Sequence, residues 1–413
     1  MRLLFSSVLI AFITFINVQT ASAQRNCGTE DYIRKFYHPE TLRPGSVDGH
    51  QRDTVPNEII SIPVVVHLLF NTNEQNITDE QIRSQIDVLN RDYRMMNTDA
   101  INTPSAFKPF AADTRIMFCL AQVAQDGRST KGIIRKYTSK EFFLGDDGMK
   151  YSAAGGDDAW DSKKYLNIWV CALFGRSLGY ATPPGGPADK DGVVINYDVF
   201  GNTGFVRAPY DKGRTATHEI GHWLGLKHTW GDADCGSDDV YDTPRQQGSN
   251  FGCPSFPHTT SCSETVNGDM FMNFMDFTDD ACMNMFTTGQ KMKMRGLFAL
   301  GNSRNSFLNS FACDSTLAAG GPLPDDTIPV TKPAADVQFF PNPVQVELNI
   351  IPVNDYELIG KVCMIYSIQG KMILQQTLAS NKEKLNLSGL VPGIYIIKIG
   401  IGADKKIGKI IKL

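Results

Sequence analysis

The sequence carries little excess charge, few histidines and tryptophans, and only one long apolar run. Forty basic against 44 acidic side chains leave a net charge of -4, which offers no electrostatic footprint for nucleic acid or an anionic membrane surface. Thirty-six glycines and 21 prolines in 413 residues are too few for a collagen-like or low-complexity chain, and no repeat of solenoid period recurs. Apolar residues at 42% and charged residues at 20% exclude a largely disordered chain and permit a sizeable core. At ~150 residues per domain, the length calls for two or three folded units.

The apolar run, Leu3 to Val18, follows Arg2 and precedes Ala21, Ser22 and Ala23, the pattern of a secretory signal peptide spanning residues 1–23. It is shorter than the ~20 residues a spanning helix needs, so no transmembrane segment is expected in the mature chain. Export permits disulfides among the nine cysteines, and their odd number leaves at least one thiol unpaired. Residues 24–54 are polar and turn-rich, and read as a removable pro-segment or an arm.

From Ile59 a β-branched run through Val66 predicts a strand. Thr78 with Gln81 predicts a capped helix to about Met95, on the spacing Ile82, Ile86, Leu89, Tyr93. Further strands are expected at 115–120, 133–137, 166–172 and 192–196, with helices over 213–224 and 288–302. This mixture predicts an α/β or α+β domain over residues 55–313. The irregular stretch 229–280 is too long to be an idle connection. Residues 314–336 read as a linker, and 337–413 alternate as a small all-β sandwich. Cys119 and Cys171 fall in apolar strands and are expected as buried thiols; Cys313 and Cys363 are left unassigned.

The sharpest signal is His218-Glu219-Ile220-Gly221-His222, continued by Gly225 and His228, which places three of the seven histidines within eleven positions. Residues four apart stack on one helix face, so His218 and His222 present their imidazoles to one point. Gly225 lets the chain turn back and carry His228 to the same point. Three neutral imidazoles with a fourth position open describe a catalytic zinc site rather than a closed structural one. Glu219 is positioned as the general base for a water made acidic by the metal, and then as the acid for the leaving amine.

Together with Trp223, Leu224, Thr229, the triplet Asp242-Thr243-Pro244 and the stretch Asn273 to Met283, this motif resembles the pappalysin family of the metzincin zinc peptidases, over roughly residues 59–311. The resemblance implies a twisted mixed sheet with an active-site helix, a secreted endopeptidase acting on proteins and peptides, and Met275 as a hydrophobic floor beneath the zinc. It implies disulfides Cys235–Cys262 and Cys253–Cys282. It implies calcium in the acidic loop, with Asp234, Asp238, Asp239 and Asp242 as candidate ligands against the alternative of a solvated loop. Arg25-Asn26-Cys27-Gly28-Thr29 is similar to the family's short cysteine motif, which implies a zymogen with Cys27 on the zinc and activation by a cut near Arg52.

Substrate is expected to pair with an exposed sheet edge, with a pocket beside Trp223 and carboxylates at Asp279 and Asp280 favouring a basic side chain. Relatives commonly carry tyrosine where this chain has Phe277, so one hydrogen-bond donor to the tetrahedral intermediate is missing. That departure keeps a competing reading in view, a secreted zinc-binding surface adhesin without hydrolytic activity. Finally, Phe340-Pro341-Asn342-Pro343, Gln369-Gly370-Lys371 and Pro392-Gly393-Ile394-Tyr395 resemble the C-terminal sorting domain of type IX secretion, which implies that machinery as a partner and a destination outside the cell or on its surface.

Overall fold

The computed structural model describes residues 24–37, 58–318 except 176 and 264, and 336–413 except 354, 355, 369 and 401–404. The signal peptide, the activation cut near Arg52 and most of the linker lie outside the described residues. The chain divides into two compact units, Met1–Asp326 and Thr327–Leu413. No described helix is long and apolar enough to cross a membrane.

The first unit opens with α1 (Thr29–Phe36), followed by β1 (Ile60–Phe70), α2 (Asp79–Tyr93), β2 (Ile116–Leu120), β3 (Ile133–Tyr137), β4 (Leu166–Cys171), β5 (Gly179–Ala181), β6 (Gly192–Asn196), α3 (Arg214–Trp223) and α4 (Thr288–Gly296). The strand order is β2-β1-β4-β6-β5. β1 is long enough to serve two partners in succession, pairing β2 through residues 60–64 and β3 through 66–70. All these pairs are parallel except β5 with β6, which makes β5 a short antiparallel edge. Parallel strands need both faces covered, and here β1, β4 and β6 are buried almost throughout. Leu89, Ile168, Ile195, Ile220 and Phe286 belong to the main core that joins α2 and α3 to the sheet.

The Thr78 side chain accepts the Gln81 N–H and starts α2 where the capping pattern predicts. Two expectations change. The helix expected over 288–302 ends at Gly296, beyond which the chain folds into short turns with Gly301 at φ 85°. Cys119 is not a free thiol: it is bonded to Cys313, 194 residues away. Its strand ends beside the tail of the unit, where Gln122 N–H donates to Ala312 O at 2.7 Å. Cys27, Cys171 and Cys363 are free and buried among the described residues.

In the second unit the strands pair antiparallel, with one isolated parallel bridge between Val344 and Lys412. It contains β7 (Asp336–Phe340), β8 (Glu347–Val353), β9 (Val362–Ser367), β10 (Met372–Thr377), β11 (Glu383–Asn386), β12 (Gly393–Ile399) and β13 (Lys406–Lys412). A four-stranded sheet, β10-β9-β12-β13, and a three-stranded sheet, β11-β8-β7, enclose a core that includes Leu348, Ile350, Ile365, Leu385 and Ile397.

Candidate metal centre

Helix α3 is buried along its whole length, which is unusual for a helix holding two histidines, a glutamate and an arginine. Its polar groups are therefore matched one by one. Arg214, in its first turn, pairs with Asp92 at 2.9 Å and Asp99 at 3.0 Å, and Thr217 donates to Asp92 at 2.8 Å. At the other end Trp223 Nε1 donates to Asp191 Oδ1 at 2.8 Å, beneath an Arg304 guanidinium 3.8 Å from its ring centroid. Trp223 thus pins the helix and is only 1% exposed, so it does not line a substrate pocket as expected.

The helix pitch stacks His218 over His222, and Gly225, at φ 83°, reverses the chain to bring His228 alongside. His222 Nε2 lies 3.1 Å from His218 Nε2 and 3.0 Å from His228 Nε2. Each ring turns its other nitrogen to an acceptor: His218 Nδ1 to Phe274 O at 2.7 Å, His222 Nδ1 to Leu226 O at 2.8 Å, and His228 Nδ1 to the Asp232 carboxylate. Those acceptors hold the protons on Nδ1 and leave three Nε2 lone pairs facing one another. Burial, and then the neighbouring rings, push His218 well below the usual histidine range; the same causes push His222 to about 3. Three facing lone pairs at this separation repel without a cation between them, so the donor set fits a divalent metal.

Cys27 supplies a fourth atom: its sulfur and the three Nε2 atoms all lie within 4.8 Å of one another. The sulfur is 3.4 Å from Glu219 Oε2, to which Thr29 Oγ1 donates at 2.8 Å. Burial, then the Glu219 charge, raise the Cys27 thiol well above its ordinary value, so a thiolate there requires a compensating cation. Burial also lifts Glu219 to about 7. Met275 is fully buried beneath the helix, where a Cβ on Gly221 would run into its sulfur; glycine at 221 is what lets helix and methionine approach. The Phe277 ring stands edge-on to His228 with centroids 4.8 Å apart.

The pro-segment crosses this centre along β5. Leu178 N–H donates to Asn26 O at 3.0 Å and Gly28 N–H to Gly179 O at 2.8 Å, in a parallel bridge. Arg25 is buried, ion-paired with Asp280, donates to Thr278 O at 3.2 Å and lies 4.9 Å from the Tyr210 ring centroid. Asp279 is half-buried and outside that pair. The roles of Arg25, Thr29 and Asp232 were not assigned from sequence. A basic residue two positions before Cys27, with Asp280 present in the distant loop, was the available signal for the first.

Cys235 is bonded to Cys262 and Cys253 to Cys282. The four carboxylates of the expected calcium set do not gather into a metal-sized group among the described residues. Asp238 accepts from Thr243 Oγ1 at 2.8 Å and Asp242 from Thr287 Oγ1 at 2.6 Å and Gly289 N–H at 2.8 Å, capping α4. Asp239 pairs with Lys227 at 2.7 Å, and Asp234 is exposed. Hydrogen bonding thus draws these side chains to different partners.

Residues 151–299 match the family model described as pregnancy-associated plasma protein-A, and residues 338–413 the secretion system C-terminal sorting domain. The chain is 30% identical over 298 residues to an extracellular metalloprotease of Verticillium alfalfae, covering 69% of this chain and 95% of that one. Among solved structures, mature mirolysin from Tannerella forsythia in complex with a cleaved peptide is 50% identical, with a TM-score of 0.61 over 64% of this chain and all of the other. A promirolysin mutant from the same organism is 46% identical, with a TM-score of 0.66 over 72% of this chain and all of the other. Shared residues and shared fold together lead to one conclusion: the chain belongs to the pappalysin family of zinc metallopeptidases, as a secreted endopeptidase that carries a type IX secretion sorting module.

Proposed function

We propose that His218, His222 and His228 hold the zinc of this secreted endopeptidase, that Cys27 completes the set in the zymogen, and that Glu219 moves the proton during peptide hydrolysis. The observation that carries this reading is the convergence of three Nε2 atoms at 3.0–3.1 Å, each with its Nδ1 proton engaged elsewhere. When bound, zinc supplies a Lewis acid that makes water acidic at neutral pH and polarises a peptide carbonyl. The three rings orient that ion, and burial keeps His218 and His222 neutral, the form that ligates.

Departure of the pro-segment frees Glu219 Oε2 from Thr29 and from the Cys27 sulfur, so a water can take the sulfur's place within reach of the carboxylate. Glu219 takes a proton at Oε2 and returns it to the leaving nitrogen. The β5 edge offers Leu178 N–H and Gly179 O to an extended substrate, the same groups that hold Asn26 and Gly28. Asp280, buried and already paired with one arginine, selects an arginine beside the scissile bond.

The same proposal assigns residues 1–23 to the signal peptide, 24–54 to the pro-segment, 55–313 to the peptidase domain, 314–336 to a linker and 337–413 to the export module. Support for a removable segment comes from the promirolysin and mature mirolysin matches, which cover 72% and 64% of this chain. Calcium belongs to the proposal only as loop binding that draws on backbone oxygens, since Asp238 and Asp242 already accept hydrogen bonds. The experiment is incubation of processed protein with casein, with and without a chelator, alongside Glu219→Ala. Cleavage that survives Glu219→Ala defeats the assignment; no cleavage by the processed parent favours the adhesin.

A further inference from the structure

Tyr32, on α1 of the pro-segment, occupies a site built from the peptidase side. It is 4% exposed, donates its hydroxyl to Asp147 Oδ2 at 2.8 Å, and lies against Tyr180 with ring centroids 4.7 Å apart. The Lys150 ammonium is 5.0 Å from its ring centroid. Asp147 and Lys150 are both fully buried and paired at 2.9 Å. Lys190 reaches Asp147 Oδ2 at 3.2 Å, and the Tyr180 hydroxyl donates to Oδ1 at 3.1 Å. Lys150 is anchored in turn by Thr182 Oγ1 at 3.0 Å and Lys190 O at 2.9 Å. Phe36 and Tyr37 of the pro-segment add aromatic contacts, with ring centroids 5.1 and 5.7 Å from that of Tyr32, but the charged groups and the Tyr180 wall belong to the peptidase and remain when α1 leaves.

The pocket's place in the cleft follows from the course of the pro-segment. Asn26 and Cys27 run along β5 and Gly28 turns into α1, with Arg25 before them in the Asp280 pocket and Tyr32 beyond them in the Asp147 pocket. The two anchors therefore lie toward opposite ends of the edge, on either side of the histidine centre.

We propose that the pocket of Asp147, Lys150, Tyr180 and Lys190 is a second substrate subsite of the mature enzyme, which selects a tyrosine side chain on the far side of the scissile bond from the arginine. The proposal rests on the reading of β5 as the substrate edge. Its chemistry distinguishes tyrosine from each neighbouring choice. Burial works to protonate Asp147, but the Lys150 ammonium and its hydrogen bonds hold it below the ordinary carboxylate range, so it stays an anionic acceptor with room at Oδ2 for one donor besides Lys190. Phenylalanine fills the aromatic wall yet leaves that acceptor short of a partner. Lysine or arginine meets two ammonium groups against one carboxylate; an acidic side chain is drawn to those ammoniums but cannot donate to Asp147 and must give up its hydration beside that buried charge. A phenol combines an apolar body with one neutral donor at its tip.

The test is equilibrium binding to processed Glu219→Ala protein, in which peptides are not turned over. Arginine-containing peptides carry tyrosine, phenylalanine or lysine at each of four successive positions on the far side of the bond. At one position tyrosine should bind about tenfold tighter than phenylalanine, with lysine weaker than both. Asp147→Asn should level tyrosine with phenylalanine. Lys190→Met, which leaves the carboxylate in place, should relieve the penalty on lysine and covers the case in which Asp147→Asn does not fold. Equal binding of tyrosine and phenylalanine at all four positions overturns the proposal. Cleavage of the same peptides by the Glu219 enzyme is measured separately: intact peptides with tyrosine selectivity preserved would defeat the peptidase reading and leave the subsite standing.

Discussion

The Thr29 hydroxyl donates to Glu219 Oε2 at 2.8 Å and accepts the Ala181 N–H at 2.9 Å. One pro-segment side chain thereby ties the proposed general base to the sheet edge, while the Cys27 sulfur sits 3.4 Å from the same oxygen. On the proposed reading, latency has two parts, a metal position taken by Cys27 and a carboxylate occupied by Thr29. The unprocessed Cys27→Ala precursor should cleave a reporter peptide about tenfold faster than the unprocessed parent or more, since one charge-assisted contact is worth about 1.4 kcal/mol. Thr29→Val should give a smaller rise. Two precursors as inert as the parent would rule out this account of latency.

The Asp232 carboxylate faces Nδ1 of His228, one of the three proposed zinc ligands. Asp232→Asn should weaken zinc binding by about 10–100-fold in chelator competition, because such partners fix the tautomer and basicity of a ligating ring. A strong chelator should abolish casein cleavage, and added zinc should restore it. Unchanged metal affinity in Asp232→Asn would deny the carboxylate that role.

Asp280 is fully buried and its Oδ2 also accepts Lys212 N–H at 2.9 Å and Arg214 N–H at 3.1 Å, which holds the entry to α3. Asp280→Asn keeps an oxygen for those backbone groups but loses the charge. The preference for arginine over leucine, read as a ratio of kcat/KM, should fall about thirtyfold, the equivalent of about 2 kcal/mol for a desolvated ion pair. A ratio that does not move would place arginine selection elsewhere.

Phe277 stands beside His228 and His218, with nothing to donate at the ring tip. Phe277→Tyr should raise kcat by about tenfold or more, the order that one donor to a tetrahedral intermediate contributes, with little change in KM. A rise confined to KM, or none, would show that the hydroxyl does not reach the reacting carbonyl.

The Cys119–Cys313 bond closes a span of 194 residues around most of the peptidase unit. Cys313→Ser should lower the stability of that unit by about 5 kcal/mol on chain-entropy grounds, seen as a drop in Tm, with the cleavage preference unaltered. An unchanged Tm would mean the bond adds nothing to the tail contacts at Ala312.

Much of this molecule is readable along the chain because its decisive contacts are local. The positions of β1, α2, β6 and α3 follow from side-chain periodicity and capping, and the spacing of His218, His222 and His228 makes their convergence a consequence of helix pitch and one glycine. Phe277 and Cys27 likewise declare themselves within short motifs. Periodicity is silent about β5, which is three residues long and whose importance comes from being an edge.

What only tertiary structure decided are the long-range pairings, because charge and polarity in a sequence do not say which partner a side chain will find. Arg25 meets Asp280 across 255 positions, Tyr32 meets Asp147 across 115, and Cys119 meets Cys313 across 194. The acidic loop makes the same point: a row of aspartates resembles a calcium shell on paper, yet Asp238, Asp239 and Asp242 are each drawn to a different donor. Trp223, adjacent to the motif and therefore a natural pocket wall, is instead claimed by Asp191 and Arg304. Local geometry determined the chemistry of the centre; burial, which forces each polar group to be satisfied by whatever the fold brings near, determined what surrounds it.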